Sequence, residues 1–460
     1  MSSPDDHSTS SRVTRGAALA RLSAATSANY LVSRLRGFGE GDDAEQRFHA
    51  ATAEKMLELL GSMKGAAMKI GQLASFVDLD LPPEAQATYH EVLADLRDSA
   101  PPADPSAIRQ VVKEQYGAPP EDVFRHWDAE PLASASIGQV HRAVLHDGTA
   151  VVAKVQYPGV AEAIESDLAN AELFAPMARV ISPNLRIKPL MEELRDRLSD
   201  EIDYQREAQY QAAFHERYDG HPFIAVPRVF AEYCRPRVIV SEYADGLTFD
   251  EMMRATNEEQ RQRYGEIIYR FVFGSLHRFR LFNGDPHPGN YLFPADGRVV
   301  FLDFGSVKMF SSATRDGLRI QLDAVRRADV GALMASLDGA GFLPHDREVD
   351  ADKLMRWFRV FNQPIIEDRR WEYTPEFARQ VIRTTTDPRA GYLDLLRRLN
   401  LPPDYLMLNR IQWGVNSILG RLRASANWYR ISDEFLCDGP PATELGAREA
   451  DFIASSPFRA

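Results

Sequence analysis

The spacing of apolar residues predicts a helical region in the first hundred residues of the chain. Across residues 44–76 apolar side chains return mostly every three or four positions, which is typical of one helix face. A second helix is predicted at about 84–97. A third is predicted from Ser106, the expected N-cap, to Tyr116. Proline pairs follow the first and third of these segments and mark their ends.

The pattern then changes to that of β-strands. Two runs rich in β-branched residues, Ile137–Val144 and Thr149–Gln156, flank His146–Asp147–Gly148, which predicts a hairpin. Helical periodicity returns over 159–215 and, with interruptions, from Phe249 to about residue 436. Four further short strands are predicted at Phe223–Val226, Arg237–Glu242, Tyr291–Phe293 and Val299–Leu302.

Composition excludes several classes of protein. The chain has 460 residues, 44% hydrophobic and 26% charged, which rules out wholesale disorder, collagen-like repeats and a disulfide scaffold. A net charge of −12 argues against a protein that coats nucleic acid. The two cysteines, Cys234 and Cys437, fit a reducing compartment. No uncharged apolar run approaches the roughly 18 residues of a spanning helix, and no signal peptide is visible. A cytoplasmic location is therefore expected.

The segment from Arg12 to Arg36 has five arginines and no acidic residue. Three interpretations stay open. We favour an ordinary Arg-rich surface helix over an amphipathic segment on an anionic membrane, which would make the protein peripheral on the inner membrane face. A transit-like leader is the third interpretation.

The strongest chemical pattern is a pair of acidic motifs. Asp285 and Asn290 have the Asp-x4-Asn spacing of a protein-kinase catalytic loop, and a D-F-G triplet begins at Asp303, thirteen residues after Asn290. Phosphoryl transfer needs one carboxylate to orient or deprotonate the acceptor. It also needs an amide and a second carboxylate to hold Mg²⁺ on the phosphates. The spacing therefore assigns Asp285 to catalysis and Asn290 and Asp303 to the metal.

A lysine and a loop of the matching kind lie upstream. Lys154 ends the run Val151–Val152–Ala153–Lys154, which resembles the V-A-I-K strand whose lysine binds the nucleotide phosphates. Only eight of the 54 basic residues are lysines, which makes each retained lysine notable. The preceding loop keeps the last glycine and the valine of the G-x-G-x-x-G-x-V motif, and it has alanine at the first two glycine positions. The residues of this loop that we expect to bind the nucleotide are Ala133, Ser134, Ala135, Ser136, Ile137, Gly138 and Val140. Alanine makes this loop stiffer than a glycine-rich one.

Taken together, these motifs resemble the UbiB family of atypical protein-kinase-like proteins, which is associated with coenzyme Q and other isoprenoid lipids. Besides the motifs above, P-L-A-S-A-S-I-G-Q-V-H, E-I-D-Y and G-D-P-H-P-G-N match that family. The feature that separates it from ordinary kinases is K-x-G-Q, present here as Lys69–Ile70–Gly71–Gln72. The resemblance covers roughly residues 45–310.

The resemblance implies roles for further residues. Lys69 and Gln72 would lie over the nucleotide, and Glu201 and Asp203 match the E-x-D motif that faces such a lysine. Glu207 is the candidate carboxylate for pairing with Lys154, with Glu201 as the alternative. The hinge that contacts adenine would be Glu242, Tyr243, Ala244 and Asp245. No A-P-E follows the D-F-G at activation-segment distance; Thr374–Pro375–Glu376 is more simply a helix start. His287 is expected to orient its loop rather than bind a metal.

The resemblance also implies the architecture: an α+β, bilobal protein-kinase-like fold with an N-terminal helical extension and additional C-terminal helices. The expected divisions are an N-terminal tail, the extension, an N-lobe, a C-lobe and a C-terminal tail, at 1–43, 44–118, 119–245, 246–436 and 437–460.

The implied function is that of an ATPase or small-molecule kinase. It would bind ATP or ADP with Mg²⁺, and its expected partner is an isoprenoid lipid or quinone precursor rather than a nucleic acid. The sequence assigns no oligomeric state. Two alternatives remain: a kinase of the aminoglycoside or choline kinase type, and a nucleotide-gated scaffold without turnover.

Overall fold

The computed structural model describes residues 104–135, 137–162, 164, 199, 201–344, 348–400 and 402–456. These residues form two compact units. The first comprises the described residues up to Gln205 together with Glu232–Val240. The second comprises Arg206–Ala231 and the described residues from Ser241 onward. Lys69 and Gln72, Ser136 of the alanine-rich loop, and most of the predicted helical stretch 159–215 lie outside the described residues.

The first unit contains two helices and the main antiparallel sheet. Its strands are ordered β1-β3-β4-β6, and β2 pairs with one end of β3. The elements up to residue 156 are α1 (Pro105–Tyr116), α2 (Pro120–Val123), β1 (His126–Trp127), β2 (Ala133–Ser134), β3 (Gly138–Val144) and β4 (Ala150–Gln156). The next elements are shared between the two units: α3 (Tyr204–Tyr218), β5 (Ile224–Ala225) and β6 (Val238–Glu242).

The predicted hairpin is confirmed as β3 and β4, which pair from Gly138↔Gln156 to Val144↔Ala150. Gly148 has φ +93° in the turn between them, a conformation that a side chain would strain. The predicted start of α1 was wrong by two residues. Asp104 is the N-cap, and its carboxylate accepts a hydrogen bond from the Ser106 amide, because Pro105 occupies the first helical position.

The second unit is mostly helical. Its helices and strands beyond β6 are α4 (Phe249–Ala255), α5 (Glu258–Tyr269), a π-helix (Arg270–Phe279), β7 (Leu281–Asn283), β8 (Tyr291–Leu292), β9 (Val299–Phe301), β10 (Val307–Met309), α6 (Ser312–Arg326), α7 (Val330–Gly339), α8 (Ala351–Asn362), β11 (Trp371–Glu372), α9 (Pro375–Thr386), α10 (Leu393–Leu396), α11 (Pro403–Leu422), β12 (Ser425–Ala426), α12 (Trp428–Leu436) and α13 (Glu444–Ser455), with short 3₁₀ turns at Pro288–Asn290, Gln363–Ile365 and Pro388–Ala390.

Small sheets and an aromatic core organise this unit. Strand β9 pairs in parallel with β5 and antiparallel with β8, and β7 pairs with β10. The rings of Phe271 and Phe301 stack with centroids 3.6 Å apart, and Phe214 packs 5.5 Å from Phe271. The core therefore ties α3, the π-helix and β9 together.

The C-terminal segment differs from the expected tail. Helix α13 occupies Glu444–Ser455 within the stretch 437–460, and Leu445 and Glu449 on it are buried. The sequence around Thr374 behaves as expected, because Thr374 caps α9 through a hydrogen bond from the Phe377 amide. Cys234 and Cys437 are both free thiols.

A fully buried arginine connects α13 to the rest of the second unit. Arg270 has no exposed surface. Its guanidinium donates to Glu434 at 2.7 and 2.9 Å, to Glu449 at 2.8 Å and to Glu266 at 2.7 Å. Arg278 binds the other oxygen of Glu449 at 2.7 Å. These five residues form the ionic cluster of the second unit.

The α+β class is confirmed by this mixture of helices and largely antiparallel strands. Within the described ranges, no helix combines the length and apolar character that crossing a bilayer requires.

Candidate functional site

Lys154 lies on the face of β4 that is turned away from the core. Its strand neighbours Ala153 and Val155 have no exposed surface, whereas Lys154 is partly exposed. Lys154 sits directly across from Val140 of β3, and its ammonium lies 5.1 Å from the ring centroid of Tyr204. The alternation of the strand thus keeps Lys154 partly exposed beside two buried neighbours.

The alanine-rich loop is the turn of a β-hairpin. Ala133 and Ser134 pair with Val140 and Gln139, and the Ala135 amide donates to the carbonyl of Gly138. This is the location in which a kinase places its phosphate-covering loop, one strand away from the lysine.

Gly138 is required there by space rather than by its backbone angles. A β-carbon on Gly138 would overlap the carbonyl oxygen of Val155 and lie 2.8 Å from the hydroxyl oxygen of Tyr204. Tyr204 is fully buried and contacts both Gly138 and Lys154. It therefore connects the loop to the lysine, although sequence reasoning assigned no role to it. Its place next to Asp203 in E-I-D-Y was the available indication.

We expect Gly138→Ala to weaken MgATP binding and to lower the free energy of unfolding by about 1–3 kcal/mol, because the new methyl group must displace the β4 backbone or Tyr204. Urea denaturation and the MgATP-induced rise in melting temperature would measure the two effects. Gly339→Ala is the matched control, since its β-carbon would meet open space. Equal stability of both variants would contradict the proposed contact.

The E-x-D segment is anchored to β4. The side-chain amide of Gln156 donates to the carbonyl of Ile202 at 2.6 Å, between Glu201 and Asp203. Glu201 is partly exposed and Asp203 is exposed. Their expected partner Lys69 lies outside the described residues, so that pairing stays a prediction.

Hydrogen bonds between side chains and backbone close the loop that carries Asp285 and Asn290. The side-chain amide of Asn290 donates to the backbone carbonyl of Asp285 at 3.0 Å, and the backbone amide of Asp285 donates to the side-chain oxygen of Asn283 at 3.2 Å. His287 accepts a hydrogen bond from the Gly289 amide at 3.1 Å, and its expected role in orienting the loop stays a prediction. Asp285 and Asn290 are partly exposed. This closure brings the two ends of the Asp-x4-Asn motif together.

Helix α11 also supports this loop, a feature that the local sequence did not indicate. A β-carbon on Gly414 would lie 2.6 Å from the Pro286 ring and 3.0 Å from its carbonyl oxygen. The helix therefore touches the loop backbone directly beside Asp285.

The D-F-G triplet lies at the end of β9, next to Asn290. The Leu302 amide donates to the carbonyl of Asn290 at 3.0 Å, which sets Asp303 close to that residue. The Asp303 carboxylate accepts from the Gly305 amide at 2.9 Å and is partly exposed, whereas Phe304 is fully buried 5.0 Å from Phe214 of α3. Burial of the phenylalanine thus keeps the neighbouring aspartate at the surface.

Glu207 belongs to the same neighbourhood. It is only 4% exposed, and one carboxylate oxygen lies 3.5 Å from the position that a β-carbon on Gly305 would take. Pairing of Lys154 with Glu207, or alternatively with Glu201, stays a prediction.

Asn290 and Asp303 fit a hard cation. Asn290 uses its amide nitrogen for the Asp285 carbonyl, which leaves the amide oxygen to act as a ligand, and Asp303 contributes carboxylate oxygens. Oxygen donors of this kind, few in number and partly exposed, suit Mg²⁺ that keeps waters and substrate phosphates. The described residues contain no cluster of three His, Cys, Asp or Glu side chains that would suit a metal held entirely by protein.

The predicted hinge follows β6. The Glu242 amide donates to the Arg228 carbonyl at 2.8 Å, Tyr243 and Ala244 are partly exposed, and Asp245 is exposed. These four residues border a cavity of about 440 Å³ within the second unit. Their contact with adenine stays a prediction.

A lysine-bearing strand beside a hairpin loop, a closed Asp-x4-Asn loop and a D-F-G turn define the class of kinase-like proteins. In agreement, residues 95–337, just over half of the chain, match the model of the ABC1 atypical kinase-like domain. The chain belongs to this ABC1 atypical kinase-like family, which confirms the resemblance to UbiB proteins and the kinase-like fold.

Named relatives agree with this assignment. The chain is 34% identical over 268 residues to rat "Atypical kinase COQ8B, mitochondrial", covering 58% of this chain and 50% of that protein. It is 32% identical over 312 residues to "Probable protein kinase UbiB" of Azotobacter vinelandii, covering 65% and 56%. The chain thus spans about half the length of the curated relatives it matches. A solved structure, the Rv3197–erythromycin complex from Mycobacterium tuberculosis, aligns with a TM-score of 0.61 at 30% identity, covering 86% of this chain and 98% of that one.

Proposed function

We propose that the protein is a kinase-like ATPase that binds MgATP or ADP and transfers the terminal phosphoryl group to water or a small molecule. We further propose that it does so in support of quinone or isoprenoid-lipid metabolism. The observation that carries this proposal is the closed loop between Asp285 and Asn290, with Asp303 held beside Asn290 through the Leu302 amide. Membership of a family whose relatives are named COQ8 and UbiB supports the metabolic setting.

Each residue has a defined part in this proposal. Lys154 contacts nucleotide phosphates as a compact charge, and the loop from Ala133 to Val140 covers them. Asn290 and Asp303 hold Mg²⁺, which when bound neutralises charge on the phosphates. Asp285 orients the attacking oxygen and accepts its proton.

The nucleotide's surroundings are completed by residues assigned through family resemblance. Glu242 to Asp245 contact adenine, and Lys69 and Gln72 lie over the nucleotide opposite Glu201 and Asp203. Such positions would account for a preference for water or a small acceptor, since similar proteins use this extension to block the groove that a peptide substrate would need.

The test is phosphate release from MgATP by the full chain, with and without anionic liposomes. We expect Asp285→Asn to lower turnover by about 10²–10⁴-fold, the range that loss of a general base produces, while MgATP still raises the melting temperature. Asp296→Asn is the matched control, because Asp296 is an exposed residue of the β8–β9 turn paired with Arg298.

Other results would reject parts of the proposal. Equal turnover by wild type and Asp285→Asn would mean that the catalytic assignment is wrong. Tight MgATP binding without turnover under any lipid condition would favour a nucleotide-gated scaffold. A panel of prenylated quinones and phenols, assayed with membranes, would identify an acceptor, and a stable phosphorylated product would indicate a small-molecule kinase.

A further inference from the structure

Two cavities in the second unit share one wall. The first cavity, here called the inner chamber, has a volume of about 140 Å³ and is lined mainly by the π-helix and helices α6, α8, α11 and α12. The outer cavity has a volume of about 670 Å³ and extends to α13. His277, Phe435 and Leu436 line both, so their side chains form the wall between them.

The inner chamber presents an apolar surface. Aromatic and aliphatic side chains make up most of its lining, including Leu322 and Leu408. Two of the amides in its lining donate within the protein: Gln321 donates to the hydroxyl of Tyr405 at 2.9 Å, and Gln412 donates to a backbone carbonyl at 3.0 Å. An apolar cavity of this size accommodates one small ring or a short hydrocarbon chain.

The outer cavity is lined by three arginines. Arg315 and Arg319 lie one turn apart on α6, and Arg278 comes from the π-helix. Arg278 is paired with Glu449 at 2.7 Å and Arg315 with Asp316 at 2.9 Å. Arg319 is exposed, and no carboxylate of the described chain lies within ion-pairing distance of it.

The acidic residues of the same cavity offset part of this charge. Asp316 and Glu434 are engaged by Arg315 and Arg270, which leaves Asp438 as the remaining acid of the lining. Burial, together with the nearby positive charges of Arg315 and Arg278, lowers the pKa of His277 to about 3. The imidazole is therefore neutral at physiological pH, and its environment is cationic.

The wall itself is a stack of flat groups. The His277 ring lies parallel to that of Phe435, with an interplanar angle of 11° and centroids 5.8 Å apart. The Arg278 guanidinium lies 5.6 Å from the same Phe435 centroid. The neutral aromatic wall thus borders the apolar chamber on one side and the arginine-lined cavity on the other.

We propose that these two cavities form a binding site for a single-chain anionic amphiphile, a carboxylate or phosphate monoester on a short hydrocarbon chain. The anionic head binds Arg315 and Arg319 in the outer cavity, and the chain passes beside His277 and Phe435 into the inner chamber. This site lies beyond the proposed nucleotide chemistry and does not depend on ATP turnover.

The test is calorimetric titration of the full chain, without nucleotide, with octyl phosphate and octanoate below their micellar concentrations. We expect both to bind, and inorganic phosphate and octanol to bind at least tenfold more weakly, since each lacks one half of the ligand. Octanol binding as tightly as octyl phosphate would overturn the role of the arginines. Inorganic phosphate binding as tightly would overturn the role of the chamber.

Two variants separate the halves of the site. Arg319→Gln removes an exposed charge and should weaken octyl phosphate at least fivefold without changing octanol. Leu408→Trp should fill the chamber and weaken both ligands. Arg356→Gln is the matched control, because Arg356 is an exposed helical arginine that lines neither cavity.

A lipid headgroup offers the same anionic chemistry, so vesicles form a further arm. Binding to phosphatidylglycerol vesicles that Arg319→Gln abolishes, with no octyl phosphate binding in solution, would reject the soluble ligand. Unchanged octyl phosphate affinity in Arg319→Gln would reject the site itself.

Discussion

Arg270→Met should lower the free energy of unfolding by about 3–5 kcal/mol, the cost of leaving buried charges without their partner. Arg270 has no exposed surface and binds Glu266, Glu434 and Glu449 at once. Methionine fills much of the volume but cannot compensate three carboxylates. Urea denaturation followed by the fluorescence of the fully buried Trp428, whose ring packs against Tyr269, would measure the loss.

The acid dependence of stability provides a second readout of the same cluster. Burial favours the neutral form of Glu449, but His221, Arg278 and Arg270 outweigh it and lower its pKa to about 2. Because this pKa is lowered on folding from an ordinary 4.5, the stability that Glu449 contributes is present above pH 4.5. It is lost as the pH falls toward 2. Arg270→Met should flatten that part of the stability profile.

Two comparisons keep this prediction falsifiable. Arg327→Met removes an exposed arginine paired with Asp323 and should change stability little. Replacing Arg270 together with Glu434 and Glu449 by neutral residues should recover part of the loss, since the two charges of the cluster that remain, Glu266 and Arg278, each keep some exposed surface. A single Arg270→Met variant as stable as Arg327→Met would show that the cluster does not hold α13.

The ionic cluster also shows what the sequence could not predict. Locally, Arg270 only interrupts an apolar stretch, and the pattern gives no reason to bury it. Its carboxylate partners Glu434 and Glu449 lie 164 and 179 residues further along the chain. The periodicity of apolar residues cannot indicate contacts between residues so far apart in the sequence. For this reason the sequence predicts only a tail in the segment where the structure has the helix that carries Glu449.

The hairpin of β3 and β4 represents the opposite case. Its strands and its turn follow from two β-branched runs and from one glycine between them, which are local properties. The Asp-x4-Asn and D-F-G motifs could likewise be found from spacing. Contacts that complete the site, such as Tyr204 on Gly138 and Gly414 on Pro286, depend on close approach between distant elements and needed the structure.

Lys154→Ala should lower MgATP turnover by about 10²–10³-fold, the range expected when one preorganised charge on a developing anion is removed. Its ammonium is held on the outer face of β4, 5.1 Å from the Tyr204 centroid, by a strand whose other face is fully buried. Lys154→Arg should not restore turnover, because the longer forked guanidinium cannot take the place of a compact charge against the same tyrosine. Phosphate release with anionic liposomes would measure turnover, and the MgATP-induced shift in melting temperature would measure nucleotide binding.

Lys308→Ala is the matched control, since Lys308 is a partly exposed lysine paired with Asp404 at 3.1 Å. If Lys154→Ala had the same turnover and the same MgATP-induced shift in melting temperature as Lys308→Ala, the assignment of Lys154 to the phosphate site would be wrong. This outcome is independent of the result for Asp285→Asn.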